Sequence, residues 1–178
     1  MRMFWVFFRY SFALCYKISA LNTWSYHLFN LVVHLLAALT LFGIARRTLL
    51  SQSRFSAMAR PLALFIALFW ALHPLQTQAI TYIVQRSESM MGLFYLLTLY
   101  CVIRGVDSKR ERWWWLAALM ACVLGMGSKE VMVTAPVVVF LYDRAFLAGS
   151  FRETLRRRRL LYAGLILTWF VLTTTLTH

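Results

Sequence analysis

Acidic side chains are scarce in this chain. There are six, against nineteen Lys and Arg in 178 residues, and none precedes Glu88. No Asp or Glu stands in the middle of an apolar run, which weakens any reading as a proton-coupled carrier, whose relay acids lie at mid-membrane. Cysteine is equally sparse. Cys15, Cys101 and Cys122 show neither paired spacing nor a metal-ligand pattern, so a disulfide framework and a thiolate metal site are not supported. Cys101 and Cys122 fall within apolar runs and are expected to be packing residues. There is no Gly-rich phosphate loop, no Ser-His-Asp order, no linker, no low-complexity tract and no repeat period. Arg9 interrupts the first apolar stretch, and Leu14 before Cys15 is too bulky for a lipoprotein cleavage site, so no cleaved leader is expected.

What the sequence does contain is hydrophobicity in long blocks. It is 61% hydrophobic, with a mean hydropathy of +0.66, the composition of an integral membrane protein. A bilayer core requires about 20 apolar residues of helix. Six stretches meet or approach that length: 28–45, 61–72 (extended by Ala79), 89–103, 113–127, 131–147 and 160–177. They lack the two-residue alternation of a barrel, and backbone groups in lipid must be satisfied internally. The expected fold is all-α, a polytopic transmembrane helical bundle of about six spans. Pro61 stands where a helix can begin, and Pro74 where it stops or bends. Pro136 lies inside a run, so a kink is expected there, with hydroxyls such as that of Thr134 helping to satisfy freed carbonyls.

The net charge of +13 is not the footprint of a nucleic-acid-binding protein, because of where it lies. Fourteen of the nineteen cations fall in three clusters. Arg46, Arg47, Arg54 and Arg60 form one, and Arg104, Lys109, Arg110 and Arg112 the next. The third is Arg144, Arg152 and the run Arg156–Arg159. The clusters occupy every second inter-span loop, as the positive-inside rule requires, and the intervening loops hold only Arg86 and Lys129. The predicted location is a membrane, the bacterial inner membrane, with basic loops in the cytoplasm, where they also attract anionic lipid. Residues 1–27 read as an interfacial helix on the outer face, with Arg2, Arg9 and Tyr16 or Lys17 along one side and Phe4, Trp5, Phe8 and Phe12 on the other. Residues 28–178 then form the bundle.

This orientation gathers one set of polar residues on the outer face. "HPLQTQAITYIVQRSE" supplies His73, Gln76, Gln78, Arg86 and Glu88, and "GSKE" supplies Lys129 and Glu130. Any one of them is compatible with an ordinary interfacial charge in water. Together, near the hydrocarbon boundary, they suggest a partner or a water-filled cavity. Arg86 and Glu88, two positions apart, point to different sides of a helix and should not pair with each other. Arg86 and Lys129 suit a phosphate, the first bidentately and the second as a point charge. Gln76, Gln78 and Glu88 suit sugar hydroxyls or an acceptor, and His73 alone favours a helix-end role. His27, Asn30 and His34 form a second group, best read as hydrogen bonding between helices. No carboxylate accompanies them, and no metal site is expected.

Three segments carry a family resemblance: "SYHLFNLVVHLLAALTLFGIARR", "ALHPLQTQAITYIVQRSESMMGLFYLL" and "GMGSKEVMVTAPVVVFLYDRAF". From about Ser11 to Trp169 the chain resembles bacterial tetratricopeptide-repeat membrane proteins related to the transmembrane and TPR-containing O-mannosyltransferases of animals, in the GT-C class of glycosyltransferases. The HP…Q…R.E block followed by SKE is the specific part. The resemblance implies an enzyme that moves a sugar from a polyprenyl-phosphate-linked donor to an extracytoplasmic acceptor, proteins among the candidates, with membrane lipid as surroundings and no cofactor. It matches His73, Arg86, Glu88, Lys129 and Glu130 to the family's outer-face motif, the cations holding the lipid phosphate. Gln78 stands where relatives often carry Glu, which puts an acid–base role there in doubt.

In such enzymes a first span and an acidic outer loop precede the segment corresponding to Ser11, and a repeat domain follows the last spans. The expectation is therefore a partial GT-C-like domain that supplies no catalytic residue and lacks transferase activity alone. Two rival readings are a transporter of a small polar or anionic solute and a non-enzymatic scaffold. The first would need polar residues continuing through the spans. In the second the charges would only set topology.

Overall fold

The computed structural model describes residues 12–13, 15–17, 22–76, 82 and 85–176. Within them the chain is helical, without strands. Helix α1 is Trp24–Leu50, α2 Ala59–Ala71, α3 Arg86–Val106 and α4 Glu111–Met126. Helix α5 is Ala135–Tyr142, and α6 Phe151–Leu176. Short 3-10 turns at Ser56–Met58, Pro74–Gln76 and Glu130–Thr134 join them, and a π-helical segment, Asp143–Ala148, extends α5. This is the expected all-α membrane-type architecture. By length and apolar composition, Trp24–Leu50, Arg86–Val106 and Glu130–Ala148 can each cross a membrane.

Antiparallel order follows from contacts between helix ends. At one end Arg47 of α1 meets Asp107 after α3 at 3.2 Å, and Thr48 meets the Tyr142 hydroxyl of α5 at 2.5 Å. At the other, Asn30 of α1 meets Arg86 of α3, and Glu88 meets Lys129 after α4. The three basic clusters consequently share one end of the bundle. Arg86, Glu88 and Lys129 share the opposite one.

Small residues bring the helices close. Ala59, Ala63 and Ala67 are all buried on one face of α2, the small-xxx-small spacing that lets helix backbones approach in lipid. In α4, Ala118, Cys122 and Gly125 do the same, and a Cβ on Gly125 would lie 2.7 Å from the Met132 side chain. The main core joins α3 to α6 through Leu99, Val102, Met126, Met132, Val139, Leu161 and Leu165. Cys101 and Cys122 are buried in it, as packing residues. A smaller cluster, Val33, Ala37, Met90 and Leu93, seals α1 to α3. Large apolar side chains face outward instead: Leu35, Leu36 and Leu39 on α1, Phe65 and Phe69 on α2, Leu167 and Phe170 on α6. In water such a surface would be unfavourable. It is the surface a lipid-facing bundle presents.

Several boundaries differ from those read off the sequence. Helix α1 begins at Trp24 and runs to Leu50, so the bundle starts before residue 28. Helix α2 ends at Ala71 without reaching toward Ala79, because Pro74 opens a 3-10 turn there. Pro136 produces no mid-helix kink. It sits in the first turn of α5, where a missing N–H leaves no gap in the ladder. The Thr134 hydroxyl donates to the Val131 carbonyl at 2.9 Å. The run Arg156–Arg159 is not in a loop but inside α6, and the helical backbone breaks at Arg158 (φ −128°, ψ 32°). Of the proposed interfacial helix, Phe12–Ala13 and Cys15–Tyr16–Lys17 are helical, and Ser25 donates from its hydroxyl to the Cys15 carbonyl at 3.3 Å. The rest of that segment before Asn22 lies outside the described residues.

Candidate functional site

The polar residues at the Arg86 end fall into an inward group and an outward group. Arg86 opens α3 and is fully buried. Its Nε donates to Asn30 Oδ1 at 3.1 Å and its Nη2 to the Tyr26 carbonyl at 3.2 Å. Its guanidinium carbon lies 4.4 Å from the ring centroids of both Phe12 and Phe29, and 5.5 Å from that of Tyr26. A planar cation enclosed by aromatic faces and carbonyl-type acceptors suits arginine and would not suit lysine. Asn30 in turn donates to the Tyr82 carbonyl at 3.4 Å, so one asparagine connects α1, α3 and the segment before α3. This is the inter-helical hydrogen bonding expected of the His27, Asn30 and His34 group. His34 contributes through Nε2, 3.0 Å from the Ala71 carbonyl, and stacks on Trp70 with ring centroids 5.1 Å apart.

Glu88, two positions beyond Arg86, faces elsewhere, as the helical spacing requires. It forms an ion pair with Lys129, whose backbone is extended at the end of the α4 connection. Both side chains are about two-fifths exposed (39% and 40%), so the pair sits at a mouth and not in the core. Glu130 beside it is exposed, with no ion pair among the described residues.

Below Glu88 lies a cleft of about 240 Å³ lined by His34, Ala37, Trp70, Gln76, Glu88, Ser89 and Gly92. It exists because α2 stops early. Ala71, its last residue, is level with His34, ten positions or roughly 15 Å along α1 from Trp24. Gly92 adds no side chain, and a Cβ there would meet open space. Against this cleft lies a second, almost wholly apolar groove of about 560 Å³, lined by Leu41, Phe65, Ile66, Phe69, Trp70, His73, Leu75 and Gln76. Trp70 and Gln76 line both. His73 lies between α2 and the 3-10 turn that follows: its Nδ1 accepts from the Leu75 N–H at 3.3 Å, and its ring sits edge-on to Phe69.

Of the sequence-predicted residues, the structure therefore brings Gln76, Glu88 and, through its ion pair, Lys129 to one cleft, with His73 on the adjoining groove, while Glu130 is exposed and lines neither cavity. Arg86 is in the core behind them. Gln78 lies outside the described residues.

A second polar cluster was not anticipated. Asp143, at the start of the π-helical segment, is completely buried, accepts from Arg158 and accepts from the Tyr162 hydroxyl at 2.6 Å. Thr154, also buried, donates to the Ser150 carbonyl at 3.0 Å. The sequence signal for it is Asp143 itself, an acid near the end of the apolar run 131–147, with an arginine cluster about 15 positions on.

Residues 6–178 match the family model described as dolichyl-phosphate-mannose-protein mannosyltransferase. The chain belongs to that family. Among its relatives, protein O-mannosyl-transferase TMTC2 of Homo sapiens is 36% identical over 138 residues, 75% of this chain and 15% of the relative. Protein O-mannosyl-transferase Tmtc2 of Drosophila melanogaster is 32% identical over 139 residues, 75% of this chain and 14% of the relative. Protein O-mannosyl-transferase TMTC3 of Homo sapiens is 24% identical over 143 residues, 79% of this chain and 14% of the relative. The chain thus spans about one-seventh of the length of these relatives. No solved structure matches it.

Proposed function

We propose that this chain forms part of the membrane domain of a glycosyltransferase. The enzyme would take a sugar from a polyprenyl-phosphate-linked donor and pass it to an extracytoplasmic acceptor, a protein being the acceptor that the relatives' names suggest. Family membership supports the reaction class. The observation that supports this site is the pair of adjoining cavities that share Trp70 and Gln76. The first carries polar groups from His34, Gln76, Glu88 and Ser89 among apolar ones, and the second is almost wholly apolar, a gradient that suits an amphiphile with a hydrophilic head and a hydrocarbon tail. The location that goes with this reading is the bacterial inner membrane, with the basic end in the cytoplasm.

In this reading Lys129 meets the donor phosphate as a point charge, and Glu88 holds the ammonium in place until the phosphate competes for it. Gln76 hydrogen-bonds sugar hydroxyls at the boundary of the two cavities. His73 borders the apolar groove, and Glu130 adjoins Lys129 in the chain. Arg86 is a positioning residue that fixes the start of α3 and so the place of Glu88. The acceptor oxygen attacks the anomeric carbon, and the bond from that carbon to the phosphate oxygen breaks. The phosphate leaves with the electron pair, and the acceptor proton passes to a base. Lys129 stabilises the negative charge that grows on the phosphate. No catalytic acid or base is assigned to this chain.

The test is donor binding by the reconstituted chain. In nanodiscs, retention of polyprenyl-phosphate-mannose measured by native mass spectrometry is expected to fall about tenfold in Lys129→Gln, the loss of one charge-assisted contact. The same lipid without phosphate is expected to bind weakly to both proteins. Equal retention of the phosphate lipid by wild type and variant would refute the assignment.

A further inference from the structure

Helix α6 carries a built arrangement at the opposite end of the bundle. Its buried residues are Thr154, Arg158, Leu161, Tyr162, Leu165 and Thr168, which recur at spacings of three and four with Tyr162 beside Leu161. One face is therefore held against the bundle along the whole segment, through the backbone break at Arg158. Arg158 belongs to that inner face because it pairs with Asp143 there, and the Tyr162 hydroxyl donates to the same carboxylate. On each side of the break the outer face follows from the buried one: Arg152 and Arg156 lie opposite Thr154, and Arg159 lies opposite Leu161, all three exposed in one column. Exposed Leu155 and Leu160 flank the column. Glu153 accepts from Arg157 at 2.5 Å and lies 3.8 Å from Arg156, so it draws charge toward one flank. Arg152 and Arg159 have no acidic partner among the described residues. Arg144 adds a further cation beside the column, stacked 4.3 Å over Phe151.

We propose that this column is a binding site for the phosphodiester headgroup of an anionic phospholipid in the adjacent leaflet. The charge is complementary, and the column faces away from the protein. Its flanking leucines would lie along acyl chains, and the apolar surface of Ile166, Leu167 and Phe170 continues on the same helix into the hydrocarbon. Topological charge needs only to be on the right side of the membrane. It does not require one arginine to be withdrawn into the core so that three others form a line. The site is remote from the Glu88–Lys129 cleft and independent of the donor reading.

The experiment compares lipid retention by the whole chain, using native mass spectrometry of protein released from nanodiscs containing phosphatidylglycerol, cardiolipin and phosphatidylcholine in equal proportion. Wild type is expected to retain anionic lipid at least about tenfold over phosphatidylcholine, from roughly 1 kcal/mol per arginine near the surface. The triple variant R152Q/R156Q/R159Q is expected to lose that preference. R54Q/R60Q/R110Q, which removes equal charge from the same end, is expected to keep it. Equal loss in the two variants would reduce the effect to diffuse charge and overturn the proposal, as would equal retention of phosphatidylcholine by wild type. Should the triple variant not fold, the single variants R152Q and R159Q take its place: each is expected to lower the anionic preference more than R54Q or R110Q does, and equal effects would overturn the proposal. Selectivity for cardiolipin over phosphatidylglycerol would place two phosphates on the column, and equal retention of both would place one.

Discussion

The Arg86 Nε donates to Oδ1 of Asn30 at 3.1 Å, inside the bundle and across 56 positions of sequence. This bond, together with the one to the Tyr26 carbonyl, holds the first turn of α3 against α1. Arg86→Ala leaves Asn30 and a backbone carbonyl short of a donor, and destabilisation of about 2–3 kcal/mol is expected. Arg86→Lys keeps the charge but not the planar fork, and recovers less than half of that loss. Thermal unfolding in a single detergent, with helicity as the signal, measures both.

Asp143 and Arg158 make the opposite kind of prediction. Removing either partner alone leaves a buried charge, at a cost of about 3–5 kcal/mol. Removing both, as Asp143→Leu with Arg158→Met, is expected to restore most of the stability, because the desolvation of two ions disappears with their attraction. A double-mutant cycle in unfolding midpoint checks this. Additive losses would show that the pair is not coupled.

For Glu88 and Lys129 the expected stability coupling is small, at most about 1 kcal/mol, because both side chains are partly solvated. Donor retention is expected to respond much more than stability does. If Lys129→Ala lowers the unfolding midpoint as far as it lowers donor binding, the residue is structural and the cleft has been misassigned.

Glu153 is a pH probe outside the hydrocarbon. The hydrogen bond from Arg157 and the nearby charge of Arg156 hold its carboxyl below the usual glutamate range. A depressed value in the folded state means that its contribution is present above the unfolded value and disappears as pH falls through the folded one. The expected observation is a carboxyl infrared band, absent in Glu153→Gln, that titrates below an ordinary glutamate. In Arg157→Gln it should move upward. A band unmoved by that substitution would mean that the Arg157 hydrogen bond is not what depresses the carboxyl.

Much of this molecule was legible before any coordinates. Apolar runs announced the helices, and the alternation of Lys and Arg clusters announced which ends lie together, because both signals are local and repeat along the chain. The separation of Arg86 from Glu88 was legible too, since two residues apart on a helix cannot share a face. The destination of Arg86 was not. Its acceptors come from α1, and no local pattern shows that an arginine in a polar stretch will be enclosed by Phe12, Phe29 and Tyr26. Arg158 was hidden in the same way: within a run of four arginines nothing distinguishes the one that folds inward, until Asp143 is brought beside it. Pro136 was legible as a constraint but not as a position, because a proline that kinks a helix and one that starts it leave the same mark in the sequence.

The 13 residues of α2 amount to about 20 Å of helix, roughly two-thirds of a hydrocarbon core. Lipids bordering that flank must tilt, shorten or bend toward the midplane to cover it, at a modest energy for every ångström of mismatch. On the function proposed above, a bilayer bordered by α2 would be thinnest there, and a long-chain donor would reach the apolar groove from the side without first leaving the lipid.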